Sequence, residues 1–206
     1  MGAGGFGREA LDVAEAAIRA GAHLRVLGVV DTQPSEVNLG LLRARGVAYL
    51  GTEDGWLSGD RAGVAYLVGV GSPAAREQIA RRFDAAGLDA VTVIHPAAVI
   101  GTQATLGAGT VICAGAQLST NVTAGRHVHV NPGAIVGHDA TIEDFVSLNP
   151  AAVVSGNVLV GRGTLIGAGA VVLQGRRVGA GATVGAAACV VRDVEPGTVV
   201  KGVPAR

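Results

Sequence analysis

The amino-acid sequence predicts an α/β unit over residues 1–94 followed by an all-β parallel solenoid over 95–206. Three observations carry this. A six-residue period runs without a break from Val99 to Val194. A Gly-rich loop at residue 2 leads into a helical pattern and then a strand pattern. The chain of 206 residues holds 33 Gly but only one Trp, two Tyr and three Phe, which suits an interior of Val, Ile and Ala.

Cut into sixes from Val99, the sequence gives sixteen hexads in one frame, VIGTQA, TLGAGT, VICAGA and so on to CVVRDV. The second place is Ile, Leu or Val in all but one, the exception being Ala124, and the sixth is small or Val in all but one, the exception being Arg176. Side chains alternate along a strand, so an inward second place puts the preceding sixth place inward too. The first place then points out, and places three to five turn a corner. Gly, Asn and Asp accept the backbone that corners need. Three such sides close a coil of eighteen residues, and coils stack at about 4.8 Å, the strand spacing. Arg176 stands at an inward place, where a local bulge with the guanidinium snorkelling outward is expected.

Ahead of the hexads, Gly2-Ala3-Gly4-Gly5-Phe6-Gly7 is a G-x-G-x-x-G pattern. A helix is expected over 8–20, from the spacing of Leu11, Ala14, Ala17 and Ile18, and a strand over 24–30 before Asp31. That is most of a dinucleotide-type, Rossmann-like βαβ unit, with a ligand-free tight turn as the bland alternative. Only Met1 stands where the first strand should be, so apolar codons upstream of Met1 are expected. Residues 32–60 are weakly patterned, with a short helix expected over 39–45 and a short strand over 47–50. A buried strand is expected over 64–70, a helix from Pro73 to about residue 86, and a last strand over 90–94. His95-Pro96 marks the junction.

Sixteen Lys and Arg balance sixteen Asp and Glu, which argues against a nucleic-acid or anionic-membrane surface. No apolar run approaches membrane-spanning length. Cys113 and Cys189 lie more than four coils apart, too far to pair, and the chain reads as cytoplasmic.

The chemistry concentrates at one corner. His138 and Asp139 occupy places four and five of their hexad. Neutral imidazole is the usual general base near pH 7, and an adjacent carboxylate orients it and stabilises the imidazolium. Adjacent residues on a straight strand point apart, but at a corner they need not. Eighteen residues on from His138 is Gly156, whose N–H is open to a developing oxyanion. The same step joins Asn131 to Asn149 as an amide ladder, more structural than catalytic. His127 and His129 raise a metal site, but zinc through three His needs a spacing this chain lacks, so no metal is expected. His23 and His95 read as surface and junction residues, and Glu143-Asp144 as a solvated corner.

The [LIV]-G-x-x-[STAV]-x repeat resembles the left-handed parallel β-helix of hexapeptide-repeat acyltransferases. The Gly loop, Asp31, the junction, the run from Asn131 through His138-Asp139 to Gly156, and the tail at 201–206 narrow it. Together they resemble the bacterial sugar-nucleotide N-acetyltransferases, often described as sialic-acid O-acetyltransferases. The resemblance implies transfer of acetyl from acetyl-CoA to an amino sugar carried on a nucleotide, with His138 as base, Asp139 behind it and Gly156 as oxyanion donor. It implies coenzyme contacts at Gly156, Ala168 and Ala186, and at Ser147, which stands where the family often has a second His. It implies nucleotide contacts at Gly4, Gly5, Phe6, Asp31, Thr32 and Gly71; Thr32 replaces an acid common in the family. It also implies a homotrimer with active sites between subunits, in line with apolar first-place residues on the coil faces. Two rivals are an O-acyltransferase acting on sialic acid or a natural-product hydroxyl, and a non-catalytic solenoid scaffold.

Overall fold

In the computed structural model, residues 1–59 and 61–206 are described; Asp60, the last residue of the weakly patterned stretch, lies outside them. The six-residue period becomes eighteen two-residue strands, from Val93–Ile94 to Val199–Val200. They stack into three parallel sheets of seven, six and five strands. Partners are eighteen residues apart, from Val93 on Val111 to Val171 on Cys189.

Each place in the hexad has one job. Second and sixth places fill the interior: Ile112, Leu118, Val136, Ile142, Ala116 and Ala134 are among those at most 2% exposed. Thr110 and Thr164 also point inward, and their hydroxyls donate to the carbonyls of Gly125 and Gly179 at 3.1 and 2.9 Å. Place five is left-handed in fifteen of the sixteen hexads, with φ from +54° to +78°. Place three is Gly for a different reason: a Cβ on Gly137 would lie 2.5 Å from the nitrogen of Gly156 on the next coil. Arg176 makes no bulge, since Arg177 keeps its partner Leu159. Its guanidinium snorkels as expected, donating to Gln174 O at 3.3 Å and lying 4.0 Å from Asp193. The final coil is two residues shorter, with Thr183 pairing Val199, so the tail leaves the frame yet still adds a strand.

The described residues of the N-terminal unit form four helices: α1 (Gly5–Arg19), α2 (Glu36–Ala44), the unforeseen α3 (Glu53–Leu57) and α4 (Pro73–Ala85). Ser72 caps α4 by accepting from Ala75 N, with Pro73 in its first turn. The strands expected here are shorter than the pattern implied. Of 24–30 and 47–50 only a parallel bridge between Val29 and Tyr49 remains. Of 64–70 only Ala65–Tyr66 pairs, with Asp89–Ala90. The expected strand over 90–94 divides: Ala90 stays in the N-terminal sheet, while Val93–Ile94 becomes the first strand of the solenoid. No helix among the described residues is long and apolar enough to cross a membrane.

The short strands have a physical cause. Met1 lies between the two segments: its amino group donates to Leu67 O, Gly69 N donates to Met1 O, and Gly2 N donates to Val30 O, each at 2.8–2.9 Å. This is parallel-strand pairing on both sides of one residue. Beyond Met1 a cavity of about 500 Å³ continues between the segments, lined by Leu11, Ala14, Leu24, Val26, Val64 and Leu67 among others. Among the described residues no segment pairs with the edges of 24–28 and 64–67 that line this cavity. Extending the chain before Met1 by about five apolar, β-branched residues is expected to fill this slot, at about 3.3 Å of strand per residue. The melting temperature of the N-terminal unit should then rise by about 5 °C. An extended chain that melts with the original would count against the slot as a strand site.

Candidate active site

His138 and Asp139 lie at the corner that follows the six-stranded face. Asp139 takes φ +58°, a conformation Asp tolerates better than most residues. The turn swings its carboxylate beside the preceding ring, and Oδ2 sits 2.7 Å from His138 Nδ1. Both side chains remain open to solvent, at 48% and 44% exposure. Asn121, one coil earlier, donates from Nδ2 to Asp139 Oδ1 at 2.9 Å. That hydrogen bond first, and the one with His138 second, hold the Asp139 carboxyl below its ordinary pKa. An ionised carboxylate only accepts hydrogen bonds, so the proton of the neutral ring is on Nδ1 and the lone pair on Nε2.

Gly156 is stacked on His138. A Cβ there would sit 2.5 Å from Nε2 and 2.6 Å from Cε1, so only Gly leaves room for the ring. Asn157 N donates to His138 O at 2.9 Å, which fixes the spacing of the two corners. The Gly156 N–H has no acceptor among the described residues. His138, Asp139 and the Gly156 N–H thus share one edge.

Residues 1–83 match the family model for the PglD N-terminal domain. Among solved structures, the chain is similar to the acetyltransferase domain of PglB from Neisseria gonorrhoeae FA1090. The two are 32% identical, the match covers 100% of this chain and 96% of that one, and the TM-score is 0.87. It is also similar to a His-to-Asn mutant of perosamine N-acetyltransferase from Caulobacter crescentus in complex with CoA and GDP-perosamine. Here the identity is 29%, the coverage 100% and 93%, and the TM-score 0.89. WeeI from Acinetobacter baumannii AYE is 25% identical, with coverage of 100% and 96% and a TM-score of 0.86. No curated protein matches the chain. The chain belongs to the hexapeptide-repeat, left-handed β-helix acetyltransferases.

In this acetyltransferase the other expected site residues fall in separate places. Ala168 and Ala186 stack one coil apart, with Ala187 N donating to Ala168 O at 2.8 Å, but on the corner after the seven-stranded face. Asp31 closes the Gly loop, accepting from Ala3 N at 2.8 Å and Gln33 N at 2.9 Å. Gly4 caps α1, Gly5 and Phe6 open it, and Thr32 follows Asp31. Gly71 faces the solenoid, where its carbonyl accepts from Ser147 Oγ at 3.1 Å. Ser147 is 2% exposed, on the seven-stranded face under the N-terminal unit, where its hydroxyl also accepts from Arg76. Glu143-Asp144 is also not merely solvated. Asp144 accepts from Arg126 N, Glu143 from Arg162 N, and Arg162 pairs with Asp144 at 2.7 Å.

The seam contains residues that sequence reasoning passed over. Arg76 of α4 is fully buried. It donates to the carbonyls of Val70, Gly71 and Phe145 and to Ser147 Oγ, and lies 3.1 Å from His129 Nδ1. Burial pulls its pKa down to about 9, still protonated at neutral pH. Because Arg76 can only donate, His129 accepts at Nδ1 and is neutral. Phe6 stacks on His129 at 4.3 Å, and His127 stacks between Phe145 and Tyr66 at 5.1 and 5.8 Å. Both histidines are thus packing residues of the seam, and no group of three or more His, Cys, Asp or Glu suited to a metal occurs among the described residues.

Burial, with help from Arg126, lowers the His127 pKa to about 4, and burial takes His129 well below its ordinary value. In this window the unfolded chain binds protons that the folded chain does not. Stability is therefore full above pH 6.5 and is lost as the pH falls toward 4. The melting temperature is expected to drop across that interval, and His127→Asn to flatten the slope. An equal slope in the variant would remove His127 from the account.

Proposed function

We propose that this protein transfers acetyl from acetyl-CoA to the amino group of a nucleotide-linked sugar. The single observation that carries the reading is the His138 ring, tied at Nδ1 to an ionised Asp139 and stacked over a Gly whose N–H is free. The amine nitrogen attacks the thioester carbonyl and its proton passes to Nε2. The carbonyl oxygen, now anionic, is received by the Gly156 N–H. The C–S bond breaks as the amide forms, and the imidazolium returns the proton to the sulfur. The relatives support both substrates, since PglB's domain is known in complex with acetyl coenzyme A and the Caulobacter enzyme with CoA and GDP-perosamine. Gly4, Gly5, Phe6, Asp31, Thr32 and Gly71 would hold the nucleotide, fixing the amine far from the point of grip. Ala168 and Ala186 would line the coenzyme.

The same reading calls for a homotrimer. His138 and the Ala168–Ala186 pair stand on different edges of one solenoid, so a neighbouring copy would bring the two together. The seven-stranded face is covered by the N-terminal unit. The five-stranded face presents Thr105, Thr123 and Thr141. The six-stranded face presents Val99 and Ile135, 60% and 40% exposed, with Val153 and Val171 above them, and suits a contact between copies.

Two measurements test this. With acetyl-CoA and a nucleotide amino sugar, His138→Ala should lower kcat by about 10²- to 10⁴-fold with little change in KM. The loss should shrink at higher pH, where more amine is already neutral, and Asp139→Asn should do less harm. Gly156→Ala should displace the ring and mimic His138→Ala while the protein still folds. Near wild-type kcat in His138→Ala would exclude it as the base. Light scattering should return three times the chain mass, and a monomer at micromolar concentration would defeat the trimer.

A further inference from the structure

Two columns of side chains run up the His138 edge. Place four reads Thr102, Thr120, His138, Gly156, and place five reads Gln103, Asn121, Asp139, Asn157. The place-five residues are all left-handed, at φ +58°, +59°, +58° and +54°, so their side chains leave the corner in the same direction one coil apart. Within this edge one chain of hydrogen bonds leads to the imidazole. Thr120 Oγ1 lies 3.0 Å from both the carbonyl and the hydroxyl oxygen of Thr102, and 3.4 Å from Asn121 Oδ1. Asn121 Nδ2 then donates to Asp139 Oδ1 at 2.9 Å, and Asp139 Oδ2 accepts from His138 Nδ1 at 2.7 Å.

The arrangement is directional. An ionised carboxylate only accepts, so Asp139 selects the amide orientation that presents Nδ2, the donor, to it. A carboxylate gripped on one oxygen has its other oxygen aimed. Asp139 is on a solvent-exposed corner, where an unheld side chain samples several rotamers and a lone ion pair contributes little. Among the described residues, His138 is the titratable side chain that bears on Asp139, and the neighbours of Asp139 in the column, Asn121 and Asn157, are uncharged amides.

We propose that Asn121 is a positioning residue that acts through Asp139, holding its carboxylate on Nδ1 so that Nε2 stays the proton-accepting nitrogen of His138. This rests on the reading of His138 as the general base, but it makes a claim about tautomer and orientation that can be read without any substrate. Asn121→Gly removes the amide at a backbone conformation Gly accepts freely. Asn121→Asp keeps the shape but replaces the donor with a second carboxylate.

The test is nitrogen-15 NMR of the His138 ring in the full chain, titrated through its pKa, with melting curves of both variants. In the wild type the neutral ring should show a protonated Nδ1 and a bare Nε2. Asn121→Gly should mix the two tautomers, and Asn121→Asp should raise the His138 pKa by about half a unit or more through the added negative charge. Melting temperatures should change little. A wild-type tautomer pattern and an unchanged His138 pKa in both variants would overturn the proposal, whatever the activity of His138→Ala. Inactivity of His138→Ala beside unaltered Asn121 spectra would leave the base standing and remove Asn121 alone.

Discussion

The eighteen-residue step is the constraint on which the rest depends. Every solenoid strand is two residues long and cannot exist without the strand above or below it. What makes the step constant is the corner. One left-handed residue in each hexad but the last turns the chain by the same amount, and from the second coil on its N–H donates to a carbonyl on the previous coil, as Asp139 does to Thr120 and Gly175 to Gly156. Gly at place three lets the next backbone come within contact distance. Change the spacing at one corner and every partner above it moves by a residue, exchanging inward for outward side chains. The last coil shows the one tolerated change: it is shorter by two, which preserves the alternation.

Such a lattice makes corners the natural place for chemistry. Strand residues are committed inward to packing or outward to a face. Corner residues can be polar and open, as Thr120, Asn121, His138 and Asp139 are, and they repeat in columns at one-coil spacing. A left-handed residue can also turn its side chain toward its neighbour, which a strand forbids, and His138 with Asp139 uses that freedom. A functional edge then needs only the right residue in each layer: Asn121 below to hold the acid, Gly156 above to make room for the ring.

This is why the site was legible from sequence where it followed the period and illegible where it did not. Counting eighteen from His138 reaches Gly156, and counting eighteen back from Asp139 reaches Asn121. The repeat also fixed which side chains fill the interior. It carried no information on which face the N-terminal unit covers. Ser147 and His129 are outward first-place residues, and the same position elsewhere is exposed, as at Val99. Only the docking of α1 and α4 buries them. The strands over 24–30 and 64–70 failed for a related reason: a strand pattern states a preference, and pairing needs a neighbour on the other side of the edge.

The covered face also explains how two unlike parts can act as one. Arg76 brings a charge into the seam with no carboxylate beside it, and is tolerated because carbonyls, a hydroxyl and an imidazole take up the donors of its two terminal nitrogens, leaving only Nε without a partner. Removing one partner leaves a buried charge short of compensation, which costs far more than an exposed hydrogen bond. Its partners come from both sides, Val70 and Gly71 from the N-terminal unit, Phe145, Ser147 and His129 from the solenoid. Docking is therefore close to all-or-none, since a shifted interface would strand the guanidinium. Gly71 belongs to the loop end that also carries Asp31 and the helix start at Gly4. Fixing Gly71 to Ser147 fixes that end relative to the coils. A rigid seam turns grip at one end of a long substrate into position at the other, which is what a transfer between two bound molecules requires.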